Sequence, residues 1–170
     1  MLARNETIIK WILYALAAFL CLFVQSAFLQ RITLWGVIPF VYPLLSVIPA
    51  TYEDTVFGIA FALCAGIICD ILLPDMFPCL YTLIFPLAAL CASAISRGLL
   101  RAGFLCSFIS SAIAFLLLDF FRCLLFLFDR KIIWAAGLSV MAREFLLTAP
   151  LVIPVTLLFR AVYRKAHAND

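Results

Sequence analysis

TVFGIAFALCAGIICDILL, Thr55–Leu73, carries one charged side chain, Asp70, and no proline in nineteen residues. As an α-helix at 1.5 Å per residue it would be about 28 Å long. That matches a bilayer's hydrocarbon thickness of about 30 Å. The stretch therefore predicts a membrane crossing. Within it Gly58, Ala62, Gly66 and Asp70 recur every four residues, which places them on one helix face.

The rest of the chain agrees. Its 170 residues are 68% hydrophobic and 12% charged, with mean hydropathy +1.22, against about 45–50% and about 25% in soluble domains. Seventeen Phe cannot be hidden under a surface built from so few charges. The composition predicts an all-α integral membrane protein, a single domain folded as a compact bundle of about six transmembrane helices. Loops this short exclude a separate soluble catalytic or nucleic-acid-binding domain. A net charge of +3 is too small to argue for a nucleic acid partner.

Apolar runs bounded by charges or prolines place the helices at about 11–29, 34–50, 55–73, 79–96, 102–128 and 138–160. The first run is too long for the apolar core of a secretory signal and lacks a small-residue cleavage site. The second contains Pro39, Pro43 and Pro49, so it is expected to be kinked or irregular where neighbours cover it. With six crossings both termini share a side. That side carries Arg4, Lys10, Arg97, Arg101, Arg160, Arg164 and Lys165, against Arg31, Arg130 and Lys131 opposite. The excess of basic residues predicts cytoplasmic termini. A re-entrant second segment, leaving five crossings, would split Arg97 and Arg101 from the C-terminal tail.

Two features stand out inside the bilayer. The stripe Gly58, Ala62 and Gly66 is a helix-docking face, because small side chains let helices approach closely. It suits packing within the bundle or docking of another protein's helix. Gly103, Ser107 and Ser111 form a similar run, as do Ala88, Ala92 and Ser96. The second feature is charge. Asp70 lies about 22 Å above the cytoplasmic boundary, Asp119 and Arg122 about 27 and 32 Å, and Arg143 and Glu144 about 25 Å. Unpaired charges cost roughly 2.5–3.5 kcal/mol each at a helix centre. Pairing is therefore expected in one outer-leaflet polar cluster, with Asp70 and Asp119 facing Arg122 or Arg143; snorkelling of the arginines to headgroups is the alternative. Glu53 and Asp54 read as a solvated loop, and Arg160, Arg164 and Lys165 as contacts to anionic headgroups.

Reactive constellations are hard to assemble from this sequence. The lone His167 sits in the polar tail, which removes a Ser–His pair from the membrane. Asp70 and Asp119 could form a di-aspartyl site, but arginines at the same depth favour ion pairs. The seven cysteines lie in apolar runs with no C-x-x-C spacing, which reads as small buried hydrophobes rather than disulfides or a metal site. The expectation is a protein that is not an enzyme and has no metal or cofactor.

The stretch GIAFALCAGIICDILLP, Gly58–Pro74, resembles the glycine-rich, aspartate-ended helix of the MreD family of rod-shape-determining proteins. The proline-marked VIPFVYPLL before it, the turn SRGLLR, and the ending APLVIPVTLLFRAVYRK fit the same layout. One departure is PDMFPC after the aspartate, where relatives often have a short stretch ending in glycine. The resemblance implies a multi-pass protein of the bacterial inner (plasma) membrane that acts in cell shape and regulation of peptidoglycan synthesis. Its implied partners are MreC through membrane helices, MreB through MreC, and the elongasome's RodA-type glycosyltransferase with its transpeptidase. Asp70 would correspond to the family's aspartate and the Gly58/Ala62/Gly66 face to its small-residue helix. A second possibility is the substrate-binding (S) subunit of an energy-coupling-factor vitamin transporter, also a small six-helix bundle. Against it, the amides a vitamin site wants are scarce: the asparagines, Asn5 and Asn169, are terminal, and the glutamines are Gln25 and Gln30.

Overall fold

A computed structural model describes residues 2–33, 35–73, 79–100, 102–128 and 134–166. The described residues form helices α1 (Leu2–Ala27), α2 (Tyr42–Tyr52), α3 (Thr55–Leu72), α4 (Leu80–Gly98), α5 (Phe104–Phe128), α6 (Trp134–Thr148) and α7 (Val152–Ala166). Five stretches are long and apolar enough to cross a membrane: Ile8–Arg31, Thr55–Leu72, Leu80–Gly98, Phe104–Leu124 and Ala142–Ala166. This is the layout of a multi-pass membrane protein. The last stretch joins α6 to α7 through a 3-10 turn at Ala149–Leu151. Pro150 sits in that turn and cannot donate the backbone bond an α-helix would need there.

The second crossing differs from the helix expected at 34–50. Only Tyr42–Tyr52 is helical, eleven residues and so about 16 Å. The described residues from Ile32 to Val41 are non-helical. Pro39 pushes the residue before it out of the α region, whereas Pro43 falls in the first turn of α2, where its missing N–H costs nothing. The chain therefore starts its return as irregular backbone and finishes it as helix.

Contacts fix the direction of each pass. At one end, here the base, Lys10 of α1 pairs with Glu53, and Arg97 of α4 lies 3.2 Å from Asp54. Tyr52 and Tyr163 bring α2 and α7 to the same end, their ring centroids 5.8 Å apart. The start of α1 and the end of α7 thus lie together. At the opposite end α3 hands over to α4 through Asp70.

The half-length helix is the centre of the bundle. Every residue from Tyr42 to Thr51 is buried, and α1, α3, α4, α5 and α7 all pack on α2. A helix buried on all sides can be apolar all round. The long helices instead turn large side chains outward, as lipid-facing helices do: Phe19 is 68% exposed, Leu83 73% and Leu116 69%. Toward the base, Tyr14, Phe57, Phe61 and Phe159 form an aromatic cluster against α2 with centroids 5.2–6.4 Å apart.

Candidate functional site: a braced break in the second crossing

Non-helical backbone inside a membrane needs outside partners, because lipid offers no hydrogen bonds. Three polar groups at residues 39–41 obtain theirs from α1 and α6. Gln25, 2% exposed, donates through Nε2 to the Pro39 carbonyl at 2.8 Å and accepts from the Val41 N–H at 3.0 Å. The Phe40 N–H donates to Thr148 Oγ1 at 3.1 Å, and that hydroxyl donates at 2.7 Å to Glu144's carbonyl in its own helix. A single amide and a single hydroxyl thus brace the break from both sides.

Charge gathers beside this brace. Arg122 of α5 lies over the Phe40 ring at 5.3 Å and the Tyr81 ring at 5.7 Å, and donates to the Tyr81 hydroxyl. Asp119, one turn earlier on α5, and Glu144 of α6 lie within electrostatic range of its guanidinium. Asp119 is 6% exposed and Glu144 is half-buried. Asp119, Arg122 and Glu144, three of the five residues expected in the polar cluster, thus lie within electrostatic range of one another.

The other two lie elsewhere. Asp70 was expected to face an arginine; its carboxylate instead accepts from the backbone N–H groups of Tyr81 at 3.1 Å and Thr82 at 2.9 Å, and from the Thr82 hydroxyl. The residue before α4, Cys79, is left-handed and gives no side-chain cap. Asp70 supplies the cap from α3, at the helix end that favours negative charge. Arg143 is exposed on α6. Asp70→Ala should cost about 1–2 kcal/mol, read as a lower thermal midpoint in detergent. Asp70→Asn, still able to accept one bond, should cost less.

The small-residue stripe docks helices of this chain. A Cβ on Gly58 would meet Ala50 Cβ of α2 at 2.7 Å, and one on Gly66 would meet Tyr81 O of α4 at 2.7 Å. Ala62 between them is fully buried. Of the two readings of this face, packing within the bundle is the one these contacts with α2 and α4 match. Glu53 also departs from the solvated loop expected of it. Its side chain is 3% exposed, paired with Lys10 and accepting from the Tyr14 hydroxyl at 2.9 Å. Asp54 beside it is 89% exposed, and its bridge to Arg97 contributes little in solvent.

Two cavities flank this architecture. A polar one of about 460 Å³ opens at the base among Lys10, Glu53, Asp54 and Arg97. An apolar groove of about 640 Å³ runs between α1 and α7, lined by Leu16, Phe19, Leu20, Phe23, Leu158 and Ala161 among others. Among the described residues no group of three or more His, Cys, Asp or Glu is placed to hold a metal ion. The bracing residues Gln25 and Thr148 were not anticipated, although a lone amide in the apolar run Trp11–Leu29 is a readable signal. No family model matches the chain, and neither a curated protein nor a solved structure matches it.

Proposed function

We propose that this chain is a non-enzymatic membrane scaffold of the MreD type, regulating lateral peptidoglycan synthesis and cell shape in a bacterial inner membrane. The observation that carries the reading is the Gly58–Pro74 sequence, whose residues from Gly58 to Leu72 lie on α3. The small residues on which the resemblance rests are those where α3 makes backbone-close contact with α2 and α4. They hold together the bundle that a scaffold presents to its partners. The base carries Lys10, Arg97, Arg164 and Lys165, and the bias toward basic residues on the inner side supports a cytoplasmic base. The partners of this reading are an MreC-like single-span protein, MreB through it, and a RodA-type glycosyltransferase with its transpeptidase.

With the α3 stripe filled, a partner helix has to seat on a lipid-facing surface. The α1–α7 groove offers a continuous apolar seat in which Leu16 and Leu20 are 65% and 50% exposed. A photoreactive residue at Leu20 is expected to crosslink an MreC-like protein in native membranes, and one at Leu83 on the α4 surface is not. Affinity purification in mild detergent should recover the same protein with wall synthases. Recovery of two ATPases with a large transmembrane coupling subunit would replace this reading with the vitamin-importer one.

A further inference from the structure

Near the base, α2, α5 and α7 leave a cleft of about 300 Å³ lined by Tyr52, Phe104, Ile153, Thr156, Leu157 and Arg160. Its outer wall is apolar and faces the bilayer. Phe104, Ile153 and Leu157 are 50%, 49% and 59% exposed, so the cleft opens sideways into lipid. Its inner wall is polar. Thr156 is 3% exposed, and its Oγ1 and the buried Tyr52 hydroxyl both lack a hydrogen-bond partner among the described residues. Buried hydroxyls are nearly always paired, so two orphans in one cleft point to an acceptor supplied from outside the chain. No carboxylate lines the cleft, and the exposed Arg160 gives it a positive rim.

We infer that this cleft binds the phosphate of an anionic phospholipid entering from the surrounding leaflet. The Tyr52 and Thr156 hydroxyls donate to the phosphate oxygens, as both residue types can. Arg160 balances the charge, and an acyl chain lies along Phe104, Ile153 and Leu157. A volume at the lower end of ligand pockets suits a headgroup with its chains outside. The inference stands apart from the scaffold reading, since the cleft's chemistry makes no use of a protein partner.

The test is native mass spectrometry of the full chain, delipidated in detergent and titrated with phosphatidylglycerol or phosphatidylcholine. The wild type should prefer phosphatidylglycerol by about fivefold, the worth of one well-placed basic residue, and Arg160→Gln should erase that preference. Tyr52→Phe with Thr156→Val should weaken phosphatidylglycerol binding about tenfold or more, because hydrogen bonds to a charged group are lost. The same double variant should melt no lower than the wild type, since it deletes two orphan hydroxyls. If it is poorly folded, Thr156→Val alone should weaken binding and Thr156→Ser should restore it. Unchanged binding by the hydroxyl variants would overturn the inference. So would an equal loss of preference in Arg164→Gln, which lies outside the cleft, or full displacement of the lipid by inorganic phosphate.

Discussion

Gly66→Leu is expected to leave little folded protein. A Cβ there would lie 2.7 Å from Tyr81 O and 2.8 Å from Thr82 Cα. Both are backbone atoms in the first turn of α4, so no rotamer change relieves the clash. If α4 retreats, Tyr81 and Thr82 leave the Asp70 carboxylate, and the Tyr81 hydroxyl moves from Arg122. Overpacking alone costs about 1–3 kcal/mol, and the lost bonds bring the total above about 4 kcal/mol. Domains are stable by only about 5–15 kcal/mol. Size-exclusion chromatography after membrane extraction should show aggregate for Gly66→Leu and a reduced monodisperse peak for Gly66→Ala. Gly98→Ala, with nothing within 4 Å of the new atom, should match the wild type. A monodisperse Leu variant with an unchanged melting point would mean that α3 and α4 are not packed as described.

Gln25→Leu has the second large effect, by a different route. The substitution keeps the volume and removes both hydrogen bonds, so the Pro39 carbonyl and the Val41 N–H are left without partners. Both bonds are buried. Each orphaned backbone group costs about 1–3 kcal/mol by protein mutational data and more in hydrocarbon, so a loss of about 2–6 kcal/mol is expected. Unfolding in mixed detergent micelles with increasing dodecyl sulfate measures it. Gln30→Leu, on the exposed turn after α1, should be neutral. Equal stability of the two variants would show that the break does not depend on its amide brace.

Much of this architecture was legible in the residues, for reasons that differ along the chain. α3, α4 and α5 have apolar runs ended by charges or prolines, and hydrocarbon thickness sets their length, so their bounds agree within about two residues. The second crossing was legible as irregular from its prolines. Where it becomes helical depends on Gln25 and Thr148, which lie far from it in the chain. Counting residues from the membrane boundary placed Asp119, Arg122 and Glu144 in the same half of the bilayer, and they lie within electrostatic range of one another. Depth alone does not encode rotation, so the same count could not show that Asp70 turns toward α4 or that Arg143 turns outward. The Gly58/Ala62/Gly66 spacing announced a close helix contact without saying whose helix makes it. Glu53 was misread because a charged pair between helices looks solvated. The burial that overrides this comes from Tyr14 and Lys10, some forty residues earlier.

The braced break also carries a timetable for biogenesis. A segment whose backbone is incomplete cannot be released into lipid alone. Gln25 precedes Pro39 and Val41 by fourteen and sixteen residues, so its clasp can form as soon as the second segment emerges from the ribosome. The Phe40 N–H waits for Thr148, 108 residues later. Without that helix the Phe40 N–H, in the centre of the bundle, lacks the hydroxyl it donates to. The helix that carries Thr148 is thus the latch of the break, which is fully braced only once α6 has joined the bundle.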